Sequence, residues 1–338
     1  MIAPPRTTRP PEVVSGRGAL KGPLHGGSRL ADQTFRWICL ASGLLVLVVL
    51  GLILFSTTKE AMPAFRHEGL GFITSGRWDP AAGHFGAKAF IYGTLVVAVI
   101  ALVIAVPISL GLALFITELA PQRWRVPVTY LIDLLAAIPS VVYGLWGILV
   151  FGPWLAKQGG IYDHIGSLFH PVPLLGAMFQ GNSPRNFMTA GIILAVMITP
   201  IVTSISKEVF ATVPRDQKEA AWGLGATRFE MIRGAVFPYS RTGLVGAVML
   251  GLGRAMGETI AVALVIGSTP SINFPPHLFG PGDAMAAVVA NQFGEATDVH
   301  RAALIGLGVV LFVMTVVVNL LARRVTSRAD RRLAGGKR

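Results

Sequence analysis

Residues 244–268 read LVGAVMLGLGRAMGETIAVALVIGS, apolar throughout except for two full charges, Arg254 and Glu258. A helix over this stretch sets the two four residues apart on one face, within ion-pairing reach. Arg254 lies ten residues in from Leu244, about 15 Å along such a helix and near the middle of a ~30 Å hydrocarbon core. A guanidinium there costs about 2.5 to 3.5 kcal/mol on insertion scales, so it has to face protein or water. At 100° per residue Ala247, Gly251, Arg254, Glu258 and Ala261 share one stripe, which reads as a polar path among small residues. The chemistry open to this pair is recognition of a tetrahedral oxyanion by the guanidinium fork, with Glu258 holding Arg254 and preventing a deep anion trap. A purely structural buried ion pair is the competing reading, a weak source of stability given its desolvation cost. Gly253 and Gly257 form a G-x-x-x-G pair that lets another backbone approach the helix.

Other chemistry is missing. No G-x-x-x-x-G-K-[ST] occurs, and the terminal GGKR lacks its spacing and hydroxyl, so ATP must be bound by a partner. The seven histidines lie outside the apolar runs without ligand spacing, so no metal site is expected, and the single Cys39 excludes an intrachain disulfide. No Ser, His and Asp arrangement suggests a hydrolase.

The elements that must position Arg254 follow from composition. Of 338 residues, 53% are hydrophobic and 14% charged, against about 25% charged in soluble domains, and the mean hydropathy is +0.63. Six stretches are long and apolar enough to span a bilayer, at 37–57, 90–117, 127–151, 187–206, 244–268 and 302–322. The expected fold is an all-α integral membrane protein of six transmembrane helices. The net charge of +12 has an address: 21 of the 29 Lys and Arg residues fall in the two tails and the second and fourth connections, seven in the alternate connections, and Arg254 alone inside a span. By the positive-inside rule both termini and those two connections are cytoplasmic.

Residues 1–36, rich in Pro, Gly and Arg, read as a disordered basic cytoplasmic tail rather than a cleaved signal, and 323–338 as a second basic tail. The tails could hold anionic membrane lipid or RNA, but topology alone explains their charge. Pro107, Pro139 and Pro200 fall inside spans and can kink them. Asp133, near the start of its span, is expected to reach the interface or cap a neighbour, while Ser140 and Tyr143 are candidates to line a path.

The loop 207–241 contains EVFATVPRDQKEAAWGLGATRFEMIRGAVFP. Pro214 can open a helix through Glu219, Ala220, Ala221 and Trp222 that Gly223 and Gly225 end. Thr227 and Glu230 form a T-x-x-E capping box for a second short helix, which Pro238 is expected to stop. A helix-turn-helix tethered at both ends to spans is unsuited to lie along a duplex, so no nucleic acid is expected. Small residues beside Glu219, with Trp222, Phe229 and Ile232 as anchors, suit docking into a groove.

These residues carry a resemblance. Glu219, Ala220 and Ala221, with Gly225 four residues on and Pro238 thirteen beyond, resemble the EAA loop of permease subunits of ABC importers, although Ala235 and Phe237 replace the usual I-x-L before the proline. With GLGRAMGET at 251–259 and LLAAIPSVVYGLWG at 134–147, the chain from about 37 to 322 resembles the permeases of the phosphate-specific ABC importer. The companion permease of that importer usually has a second alanine where this chain has Met256.

The resemblance implies the type I importer permease fold in a bacterial plasma (inner) membrane and a transport subunit that is not an enzyme. It implies that phosphate crosses by alternating access, with Arg254 and Glu258 in its passage, and that Glu219, Ala220, Ala221 and Gly225 couple to the ATPase. It also implies four partners, a second permease, two ATPase subunits and an extracytoplasmic phosphate-binding protein, and no cofactor on this chain, ATP and Mg belonging to the ATPase. Another oxyanion such as sulfate or molybdate, or a passive anion channel, are the alternatives.

Overall fold

The computed structural model describes residues 27–335 except 271 and 274, so most of the expected N-terminal tail and the last three residues lie outside the described residues. The chain divides into two compact units between Phe55 and Ser56. The described part of the first is the opening of helix α1 (Gly27–Glu68). Residues 27–36, expected in the tail, are therefore helical. They hold no glycine after Gly27 and no proline, so nothing stops the helix from running back beyond the apolar run.

Among the described residues the second unit is helical apart from its connecting loops, a parallel bridge between Gly267 and Gly282, and one hairpin, β1 (Trp78–Asp79) and β2 (His84–Phe85), paired antiparallel. Helix α2 (Lys88–Leu114) continues as a π-helical turn at Phe115–Leu119. Helices α3 (Gln122–Ala137) and α4 (Ser140–Trp146) follow, then a π turn at Gly147–Phe151 and three short helices. Helix α5 (Phe187–Ala211) precedes α6 (Arg215–Gly223) and α7 (Arg228–Met231); a π turn at Ile232–Val236 leads into α8 (Phe237–Met256). Helices α9 (Ile260–Val265), α10 (Met285–Gln292) and α11 (Asp298–Gly335) complete the chain.

Among the described residues five helices are long and apolar enough to cross a membrane, Ala31–Glu68, Lys88–Leu119, Phe187–Ala211, Arg228–Met256 and Asp298–Arg324. The pair Gln122–Ala137 and Ser140–Leu155, bent by 86°, makes up to six.

The centre of the unit is α2 against α5. On α2 the buried residues Ala89, Gly93, Val97, Ala101, Ala105, Ser109 and Ala113 recur every fourth position, a row of mostly small side chains that lets the helices close up. The fit leaves no spare volume: a β-carbon at Gly191 of α5 would stand 2.4 Å from Ile100. Ser109 adds a hydrogen bond to the Thr199 carbonyl at 3.1 Å. Helix α5 starts where Asn186 caps it, its Oδ1 accepting from the Thr189 amide at 2.7 Å.

Three further expected elements differ. The third span, read over 127–151 with Pro139 able to kink it, is broken outright because Pro139 has no N–H for the Leu135 carbonyl; the Tyr143 hydroxyl donates to that carbonyl instead, at 2.8 Å, across the bend. Tyr143 is thus buried and engaged with backbone rather than lining a path.

The second is the expected span 244–268, which is not one helix. Its helix begins near Arg228 and ends at Met256, a break follows at Gly257–Thr259, and α9 resumes at Ile260. Pro238 does not stop the loop's second helix. It sits in the first turn after the π turn, where its missing N–H costs least, and the chain stays helical from Arg228 to Met256.

The third is the C-terminal tail. Residues 323–335 continue α11, because the sequence offers no breaker before Gly335.

Candidate translocation site and coupling loop

Arg254 is in the last turn of α8 and Glu258 in the break that follows, with Nη2 of the first 3.2 Å from Oε2 of the second. Each charge stands at the helix end that suits it: the guanidinium near the carbonyl end of α8, the carboxylate at the amide end of α9, where Oε1 accepts from the Ala261 amide at 3.3 Å. The break therefore supplies the pairing that a continuous helix was expected to supply. Glu258 is buried, whereas the Arg254 side chain is 46% exposed. A guanidinium anchored from one side and open on the other can take a second, external oxyanion.

The stripe of small residues does not continue through the pair. Ala247 and Gly251 are buried, and a β-carbon at Gly251 would stand 2.6 Å from Val202 of α5, so that part of the stripe is helix packing. Extrapolating at 100° per residue fails at the break. Gly253 and Gly257 face open space: among the described residues, chain neighbours and local helix backbone aside, nothing lies within 4 Å of a β-carbon at Gly253, and at Gly257 only the Gly253 carbonyl does.

Glu258 borders a cavity of about 10 Å³, room for one water, together with Thr94 and Val97 of α2, Ala284 before α10 and Ala286 within it. The Thr94 hydroxyl accepts from the Met285 amide at 3.0 Å and donates to the Phe90 carbonyl at 2.7 Å. This seats the start of α10 against α2, beside Glu258. Asp283, immediately before α10, is buried; desolvation holds its carboxyl up at about 6, against the pull of the Ala284 amide and the Arg185 charge. Asp133 is exposed on α3. Among the described residues no cluster of three His, Cys, Asp or Glu is placed to hold a metal.

The loop behaves as two helices around a tight turn. Helix α6 begins after Pro214, and Gly225 takes φ +82°, a left-handed conformation that disfavours any other residue. The capping box forms: the Glu230 amide donates to Thr227 Oγ1 at 3.3 Å, and the Thr227 amide to Glu230 Oε2 at 2.8 Å. Glu219, Ala220, Trp222 and Phe229 are exposed, and Leu224, not singled out from the sequence, is 90% exposed. Ala221 and Ile232 instead pack toward Phe210, Val213 and Met231, so Ile232 anchors the loop to its own chain.

The profile of the family described as binding-protein-dependent transport system inner membrane component matches residues 105–334. The chain belongs to that family. As a member of this transport-component family it is not itself an enzyme. Relatives named phosphate transport system permease protein PstC include one from Xylella fastidiosa (strain Temecula1), 43% identical over 306 residues, 89% of this chain and 92% of the relative. One from Mesorhizobium japonicum is 43% identical over 305 residues, 90% and 92% of the two chains. The protein named PstC 2 of Mycobacterium tuberculosis is 38% identical over 319 residues, 92% and 94%. In fold, the family member is similar to a chain of a bacterial ABC transporter involved in the import of the acidic polysaccharide alginate, with TM-score 0.57 and 17% identity over 89% of this chain and 99% of that one.

Glu118, Lys218 and Thr94 are not singled out by the sequence, which marks Asp283 only as the start of a short amphipathic helix over 283–293; the structure shows that helix at Met285–Gln292. Glu118 was legible as a carboxylate ending a long apolar run, and Lys218 as the residue before E-A-A. Thr94 and Asp283 carried no signal of their roles, which arise only when α10 folds back onto α2.

Proposed function

We propose that the chain is the permease subunit of an ATP-driven importer of inorganic phosphate, acting by alternating access. In this reading six spans place both termini and the 207–241 loop in the cytoplasm of a bacterial inner membrane. A second permease completes the path, one of two ATPase subunits docks on Glu219, Ala220, Ala221 and Gly225, and an extracytoplasmic binding protein delivers the anion.

Family membership and PstC relatives over nine tenths of the chain support the transport class. The observation that carries the oxyanion is Arg254, held by buried Glu258 with its outer face open. Phosphate exchanges for part of the Glu258 contact as the path opens, and the carboxylate takes the guanidinium back as the anion leaves. Apolar Trp222, Leu224 and Phe229 give the docking surface its anchors.

The test is reconstitution with the ATPase, second permease and binding protein, reading ATP hydrolysis as phosphate, sulfate or molybdate is added. Phosphate alone should stimulate, and Arg254→Ala should abolish uptake at normal assembly. Stimulation by another of these anions, or normal uptake by the variant, would overturn the reading.

A further inference from the structure

The coupling helix α6 is attached to another span at one polar point. Lys218 Nζ lies 2.5 Å from Glu118 Oε1, and the two side chains are 17% and 8% exposed. Among the described residues this is the only side-chain hydrogen bond or ion pair that ties α6 to another part of the chain. It is charge-assisted and mostly buried, so removing one partner costs more than at an exposed pair.

Glu118 belongs to the π turn that ends α2. The chain is helical without interruption from Lys88 to that turn, and Thr94 is 24 residues from Glu118, about 36 Å along the axis. At that far end Thr94 and Val97 border the same small cavity as Glu258, and Thr94 holds the start of α10. One helix thus connects the coupling loop to the charged break.

There is also room for movement. A cavity of about 640 Å³ opens around the pair, lined in part by Arg125, Lys207, Arg215 and Glu219. Three further cations there can receive Glu118 if Lys218 is drawn away.

We propose that the Lys218–Glu118 pair is the link through which motion of α6 is passed to α2, and through α2 to Glu258. Both are positioning residues, acting on the path through α2. The proposal rests on the reading of Glu219, Ala220, Ala221 and Gly225 as the ATPase docking element.

The experiment uses the full complex in proteoliposomes and follows ATPase co-purification, the ratio of binding-protein-stimulated to basal hydrolysis, and phosphate uptake. Lys218→Met and Glu118→Gln should each keep the ATPase bound while lowering the stimulation ratio and uptake tenfold or more. The reversed pair, Lys218→Glu with Glu118→Lys, should recover both to within about threefold of the native protein, which a loss of folding would not allow, and Lys218→Arg should retain most activity. Near-native stimulation in either single variant, or a reversed pair no better than the singles, overturns the link. Deleting residues 219–222 separates the two levels: an ATPase that still co-purifies sinks the docking reading, and this proposal with it.

Discussion

Arg254 and Glu258 meet across the break between α8 and α9, with the carboxylate buried and the guanidinium nearly half exposed. The asymmetry predicts that substitution at the pair costs transport far more than folding. Glu258→Gln removes the countercharge but leaves Arg254 in reach of solvent, so folding loses only about 1 kcal/mol, while uptake of labelled phosphate falls tenfold or more because the anion is no longer displaced. Arg254→Lys keeps the charge but loses the fork, and should lower uptake by a similar factor. Uptake normalised to membrane protein level decides both; a Glu258→Gln protein transporting normally would remove the carboxylate from the cycle.

The bend at Pro139 is held by a single hydroxyl. Tyr143→Phe leaves the ring in place and deletes the bond to the Leu135 carbonyl, which then keeps only a long contact to the Ile138 amide at 3.4 Å. The variant should be about 1 kcal/mol less stable, read as a lower thermal midpoint of the purified complex. An unchanged midpoint would show that the bend does not depend on this bond.

How much of this was legible in the sequence depends on the range of the interaction. The Thr227 capping box is set by residues a few positions apart, and it forms where expected, whereas the apolar runs give long helices whose ends and breaks differ from the expected bounds. The helix break at Gly257–Thr259 was not foreseen, because composition cannot distinguish a continuous apolar helix from two segments whose freed backbone groups find partners. Here Glu258, read as one half of an ion pair, also meets the amide end of α9. Lys218 with Glu118, and Thr94 with Met285, join residues 100 and 191 positions apart. Such contacts exist only after the helices have packed.

Asp283 makes stability depend on pH. Burial raises its carboxyl from 3.8 to about 6, so between those values the folded protein holds a proton that the unfolded chain has lost. Stability from this group therefore falls as pH rises from about 4 to about 6 and is level above, a total of about 3 kcal/mol as an order of magnitude. Asp283→Asn keeps an acceptor for the Ala284 amide, 2.8 Å from Oδ1 in the native protein, and escapes the cost. The variant should have the higher thermal midpoint at pH 7.5 and nearly the native one at pH 4; equal differences at both pH values would refute the assignment.

Gly93 marks where α2 meets the segment before α10. A β-carbon there would lie 1.8 Å from the Asp283 carbonyl oxygen, a backbone atom next to a segment fixed by the Thr94 to Met285 bond. Gly93→Ala should cost about 3 kcal/mol through overpacking, seen as reduced membrane levels and a lower thermal midpoint. Native levels would mean that α10 can lift off α2.

Gly253 gives the opposite expectation. Among the described residues, nothing beyond its own helix backbone and chain neighbours lies within 4 Å of a β-carbon built there, so the chain itself should tolerate Gly253→Leu, and the better helix former gains up to about 1 kcal/mol over glycine. Next to Arg254, however, an open G-x-x-x-G face is where a second permease backbone would approach. The variant should therefore accumulate normally and fail to co-purify with its partner permease. Co-purification at the native ratio would place this face against lipid, and would move the shared path to another surface of the chain.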